Sequence, residues 1–237
     1  ASCPGPAARV SSLGTSMPRH TQTEETAYQT LRRYARQVAL QMLYQEDFRQ
    51  EIDVDAGDLF LHGRLSFGAV FPPPSSDEDA ESPDAADQDD LAEALQTQLR
   101  AMARERAEAI EGMPIESEEK ALAVAHDDIS HFIDQHGLEF ARRLLHGVRN
   151  HREAIDSQLA AAATNWSVHR MAATDRNVLR LGAYELLMTD TPPRVAINEA
   201  LELAKRFGAA QSSQFVNGIL DRLLQNKGDA LPDAPPQ

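Results

Sequence analysis

Between Pro192 and Leu224 the chain reads PPRVAINEALELAKRFGAAQSSQFVNGILDRLL, a pattern that fits two helices joined by a tight connector. Pro192 and Pro193 suit a first helical turn, where a missing N–H costs nothing. Ile197, Leu201 and Ala204 then recur at i, i+4 and i+7, one apolar stripe. Glu202 stands one turn before Arg206 and is expected to pair with it. Gly208 is expected to end this helix in the left-handed conformation, and Ser212 or Ser213 to cap the next. Phe215, Ile219 and Leu223 follow at four-residue spacing. Gly218, among them, predicts close approach of a neighbouring helix. Such a hairpin belongs in a core.

Further upstream the same period recurs. Thr174 is the expected cap of a helix through Val178, Leu179, Leu181, Tyr184, Leu186 and Leu187 to Met188. Apolar residues surround that helix, which predicts the central, most buried element. Phe140, Leu144, Val148, Ile155 and Leu159 fit one stripe of a single helix to about Ala163, with Trp166 closing a loop over the core. Helical pattern before it starts at Ser117 and is expected to break at Gly137. Thr21 and Glu24 have capping-box spacing ahead of a helix to about Phe48 that carries Leu31, Val38 and Met42. Residues 49–70 stay ambiguous, because their glycines deny a long helix. Leu91, Leu95, Leu99 and Met102 form a stripe ending near Gly112 and Pro114, on a helix that packs on the body or projects from it. No period-2 run of useful length occurs, so the class is all-α.

Charge needs to be read by position. The 237 residues carry a formal net charge of -14, which argues against generic nucleic-acid binding. Nine acidic residues and no basic one lie between Phe71 and Glu93, and setting them aside leaves -5 for the rest. With Pro72, Pro73, Pro74 and Pro83, residues 72–93 read as a disordered acidic linker. The lone Cys3 excludes an internal disulfide framework and suits a reducing compartment. There is no run of eighteen apolar residues, hence no expected membrane span, and residues 1–20 read as a flexible tail without a secretory h-region. Met17 is a candidate start.

Catalytic and metal signatures are missing. His126, His131 and His136 recur every five residues, about 140° apart on a helix, and so disperse around it. There is no HxxxH or CxxC ligand spacing, P-loop, GxGxxG or GxSxG elbow. No cofactor, metal or enzymatic activity is expected. What remains is a cluster near the start of the first helix. Arg32 and Arg36 are one turn apart on one face, Arg33 flanks them, and Tyr34 lies between. Guanidinium forks match phosphate, although three arginines on a helix are also an ordinary solvated face. Phe207, Phe215, Tyr44 and Tyr184 read as core or inter-element contacts.

Five blocks bring these features together. VAINEALELAKRFG and QFVNGILD in the hairpin, DRNVLRLGAYELL at Asp175–Leu187, EFARRLLHGV at Glu139–Val148 and RRYARQVALQMLY at Arg32–Tyr44 resemble the NusB family of bacterial transcription antitermination factors. They occur in family order and cover 31–48 and 138–225. The resemblance implies a compact all-α domain of two small helical subdomains over 21–225. An acidic linker (72–93) and an extra helix (91–112) interrupt it, and tails at 1–20 and 226–237 flank it. It implies binding to boxA RNA of ribosomal RNA leader transcripts, jointly with a small ribosomal-subunit protein (NusE). Other Nus factors and RNA polymerase complete the assembly, in the cytoplasm and away from membranes, and both monomer and homodimer are compatible with it.

The family's RNA contact falls here on Arg32, Arg33 and Arg36. Tyr34 stands where another basic residue is common and could stack on a base. Near the hairpin turn, Lys205, Gln211, Ser212, Ser213 and Gln214 are the exposed residues expected to extend that surface. Two alternatives stand beside this reading. One is a protein-interaction module of the same fold that has lost RNA binding. The other, a NusB-like domain fused ahead of an RNA cytosine methyltransferase, is not expected, since the chain ends soon after its last predicted helix.

Overall fold

Thr21 opens the first helix as its spacing to Glu24 predicts: its Oγ1 accepts the Glu24 backbone N–H at 3.2 Å. The computed structural model of the protein describes residues 21–49, 54–72, 90–163 and 166–229. The tail at 1–20, most of the acidic linker (73–89) and the last residues (230–237) lie outside them. Among the described residues every regular element is helical.

α1 (Gln22–Arg49) packs against helices from both ends of the chain. The ambiguous region is helical: α2 (Val54–Leu65) contains Gly57 and Gly63, and the short α3 (Phe67–Val70) follows, capped by Ser66. Burial of Leu61 and Leu65 outweighs glycine's helix penalty of about 1 kcal/mol each. α4 (Asp90–Glu111) packs along α1 and does not project. Leu95, Leu99, Met102, Ala103 and Ala107 are its buried stripe, and Gly112, at φ 68, turns the chain out of it.

α5 (Glu118–Val124) starts at Ser117, whose Oγ accepts the Lys120 N–H at 3.4 Å. α6 (His126–Ile133) continues through a π-helical turn at Asp134–Leu138 into α7 (Glu139–Asn150). Gly137 therefore does not break the helix. Its backbone lies against α1, where an added Cβ would sit 2.7 Å from Leu31 Cδ1. The stripe expected of one helix belongs to two, because the chain turns at His151 (φ -113, ψ 16) before α8 (Arg152–Ala162). Spacing alone does not register that turn, since the apolar residues on either side of it all face the same core.

A 3-10 turn (Val168–Arg170) leads into α9 (Ala173–Met188). Thr174 does not cap it: Ala172 occupies the cap position and makes no side-chain hydrogen bond. As expected, α9 is buried from Asn177 to Ala183 without interruption. Asn177 and Arg180 belong to a charge network that joins it to α1 and α8. Arg180 makes a bidentate contact with Asp156 (2.8 Å to each oxygen), and Asp47 of α1 receives Arg152, Arg176, Asn177 and Arg180. Arg149 similarly grips Glu46.

The hairpin is α10 (Pro193–Phe207) and α11 (Ser212–Asp229), both packed on α9. α11 reaches past Gln225 into residues expected to be tail. Several local expectations change. Gly208 ends α10 at φ -94, ψ 179, extended and not left-handed. It must be glycine for lack of space, since a Cβ would lie 2.6 Å from the Ala204 carbonyl and 2.5 Å from Ser212 Oγ. Ser212 turns back, its Oγ accepting the Ala209 N–H at 2.8 Å. Glu202 pairs with Lys205 at 2.7 Å. Gly218 faces open space; the close approach is at Gly182 of α9, beneath Leu220 and Ala200.

Candidate nucleic-acid interface

The apolar face of α1 is pinned by Ala27, Leu31, Ala35 and Val38, all fully buried or nearly so. That register decides where each predicted residue points. Arg32 lies over the Phe140 ring of α7, its Cζ 3.2 Å from the ring centroid, with the Tyr28 ring 5.4 Å away. Burial, followed by the charges of Arg36 and Arg143, lowers its pKa to about 10, so it is a cation at neutral pH. Among the described residues Arg32 has no ion-pair partner, and it lines a groove of about 880 Å³ with Arg33, Arg143, Thr191 and Asn198.

Arg36 is placed differently. It is 5 % exposed and bound through Nε and Nη2 to the Glu185 carboxylate of α9, at 2.9 and 2.8 Å. Its Nη1 also lies 3.7 Å from Glu199 of α10. Arg33 is on the rim, its side chain about half exposed, with Nε 3.1 Å from the same Glu199. Glu199 thus receives two arginines. Thr191 at the α9–α10 turn donates to Glu185 at 3.3 Å, which fixes that carboxylate against α1.

Tyr34 is buried in the core. Its position two residues from Arg32 turns it away from the groove, so base stacking requires a rearrangement that the packing opposes. At the other end of the surface, Lys205, Arg206, Arg33 and Arg36 line a second cavity of about 310 Å³, which reaches Leu91 at the start of α4. Gln211 and Gln214 are exposed and Ser213 is half-buried. Ser212, expected to be exposed, is 3 % exposed and holds the connector together.

The structure thus brings Arg32, Arg33, Arg36 and Lys205 along one side of α1 and α10, leaves Tyr34 and Ser212 inside, and adds residues the sequence reading omits. Phe140 is the platform under Arg32, and Arg143 lies one turn beyond it, Cζ 5.9 Å from the same ring. The Phe140–Arg143 spacing was visible as a same-face pair on one helix, but its pairing with α1 is a tertiary fact. No group of metal-binding side chains occurs among the described residues. No helix among them is long and apolar enough to cross a membrane.

Comparison with known proteins agrees with the resemblance. The family model described as NusB family matches residues 97–225, more than half the chain. This interval opens inside α4, and so includes most of a helix that the sequence reading assigns to an insertion. Transcription antitermination protein NusB of Anaeromyxobacter dehalogenans is 48% identical over 91 residues, covering 38% of this chain and 64% of that protein. The Desulfitobacterium hafniense protein of the same name is 46% identical over 100 residues, 41% of this chain and 68% of its own. The match to the first of these therefore spans a little under two thirds of the relative's length. Among solved structures, T. maritima NusB aligns with 82% of this chain and 90% of its own at 27% identity and a TM-score of 0.46. A complex described as antitermination factors NusB and NusE with dsRNA aligns over 83% and 97% at 19% identity and 0.44. On the family match and these relatives, the chain belongs to the NusB family.

Proposed function

We infer that the protein is a transcription antitermination factor that binds boxA RNA of ribosomal RNA leader transcripts. The observation that carries this reading is Arg32: a cation stacked on Phe140, without a carboxylate partner among the described residues, lining a groove whose rim is Arg33. Phosphate contacts of this kind position a strand and make affinity fall with salt. Unstacked bases supply sequence choice, through edges and faces that a single strand leaves open. Polar groups at Thr191 and Asn198 are on the same groove and are suited to base edges or ribose hydroxyls. Lys205 extends the phosphate path towards the hairpin turn. Arg36 serves this surface indirectly, by clamping α1 to α9 and α10.

The partners in this reading are those of the family: the small ribosomal-subunit protein NusE, other Nus factors and RNA polymerase. The work is binding and positioning, without a catalytic step, a cofactor or a metal. A cytoplasmic setting, and a homodimer as an alternative to the monomer, belong to the same proposal. A second reading has a specific observation behind it. Arg36 is consumed by carboxylates and Tyr34 is buried, so the cluster offers RNA less charge than its sequence promises. That favours a protein-interaction module of the NusB fold with weak RNA binding. A gel-shift with boxA-containing RNA, with and without the ribosomal protein, separates the two. Retarded RNA that tightens with the partner supports the first, and RNA left free in both lanes supports the second.

A further inference from the structure

Trp166 is the chain's single tryptophan, and it is 61% exposed. The sequence places it as a lid over the core, yet most of the indole is in solvent. Its backbone is fixed, with N–H donating to the Ala163 carbonyl at 2.9 Å. Its ring meets Phe215 of α11 edge to face, centroids 5.6 Å apart and planes at 73°. Phe215 lies in the first turns of α11, just after the connector that follows Lys205 and Arg206. An indole left in water on a pinned backbone is an apolar surface that no described residue covers, held in one orientation by an aromatic neighbour.

The charge around it selects the class of occupant. From Lys205 to Phe215 the sequence KRFGAAQSSQF contains two cations and no carboxylate, and from Trp166 to Met171 WSVHRM contains Arg170 and His169 and no carboxylate. His169 and Arg170 are both exposed. In a chain of net charge -14, two adjoining acid-free stretches with an exposed indole fit a single-stranded nucleic acid better than an acidic or neutral protein surface. Aromatic faces flanked by basic side chains are how unpaired bases are held.

We propose that Trp166, seated against Phe215, is a stacking platform for an unpaired base of RNA that leaves the α1 groove past Lys205 and Arg206. The proposal rests on the RNA-binding reading above and extends it to the far side of the hairpin turn. Trp166 supplies a π-face and Phe215 sets its angle. Cationic charge comes from Arg170, in the same segment as Trp166, and from Lys205 and Arg206, which line the cavity beside Arg33 and Arg36.

Because Trp166 is the only tryptophan, its fluorescence reports on the site directly. Titrating the full chain with single-stranded boxA-containing RNA is expected to quench it saturably, along the same curve as the gel-shift. A fully paired duplex of the same composition should quench it far less. Trp166→Ala should weaken binding roughly tenfold with an unaltered salt slope, since a stacking contact removes no phosphate charge; Trp166→Phe should recover most of the loss. The quench is read on the unmodified protein, so it decides the matter even if the alanine variant folds poorly. RNA that binds while Trp166 emission stays constant overturns the platform and leaves the arginine groove standing. Emission that answers only to the ribosomal protein partner overturns it in favour of a protein contact. RNA that fails to bind the unmodified chain at low salt overturns both this proposal and the reading on which it rests.

Discussion

Arg36 and Glu185 form a two-point ion pair across α1 and α9, with both side chains almost wholly removed from solvent. Three arginines in a five-residue stretch therefore have three different situations. Arg36 ties helices together, Arg32 stacks on Phe140 at a groove wall, and Arg33 stands at the rim beside Glu199. Removing one partner of a buried pair leaves the other charge stranded, typically at a cost of about 3–5 kcal/mol.

The first prediction follows from that contrast. Arg36→Ala should lose about 3 kcal/mol or more of unfolding free energy, whereas Arg33→Ala, losing an exposed pair, should lose no more than about 1 kcal/mol. Urea unfolding of the two variants checks this. Equal losses would mean that the Arg36–Glu185 contact does not clamp the fold.

Two glycines should respond in opposite directions. A Cβ on Gly147 of α7 would overlap the Tyr184 ring of α9, so Gly147→Ala should destabilise by about 1–3 kcal/mol. Gly218 of α11 has open space around it, so Gly218→Ala should stabilise by up to about 1 kcal/mol, the helix-propensity gain. Thermal unfolding of both variants measures the sign of each.

Acid should act through Asp47. Burial alone would raise its pKa, but hydrogen bonds from Arg176 and Asn177 and the charges of Arg176 and Arg180 hold it below the ordinary 3.8. A depressed carboxylate contributes stability above its unfolded pKa and loses it as pH falls through its folded one. Asp47→Asn should therefore be less stable than the parent at neutral pH, with the gap narrowing as pH falls below 3.8. Unfolding free energies measured down this pH range test it; a gap independent of pH would contradict the role given to the carboxylate.

The limits of the sequence reading follow from the same residues. Periodicity placed α1, α9, α10 and α11 because their stripes are long and regular, and capping chemistry placed Thr21 at the start of α1. It joined α7 to α8, since a turn at His151 leaves the apolar register intact. It misassigned Gly137, Gly208 and Gly218, since glycine signals both a special φ and a lack of room, and only the neighbouring helix tells which. Arginines at the start of α1 were legible as a cluster. Which of them meets solvent was not, because Glu185 and Glu199 lie about 150 or more residues away in sequence and form no local pattern. Tyr34 and Ser212 went inside for the same reason: their faces are set by packing partners, not by residue type.

Phosphate binding at Arg32 and Arg33 is the centre of this account, and the salt dependence of boxA RNA affinity tests it most directly. The double variant Arg32→Ala/Arg33→Ala, confirmed as folded by circular dichroism, should bind more weakly. Its plot of log affinity against log salt should be shallower by about 1.4, roughly 0.7 for each single-strand phosphate contact removed. An unchanged affinity and an unchanged slope would contradict it.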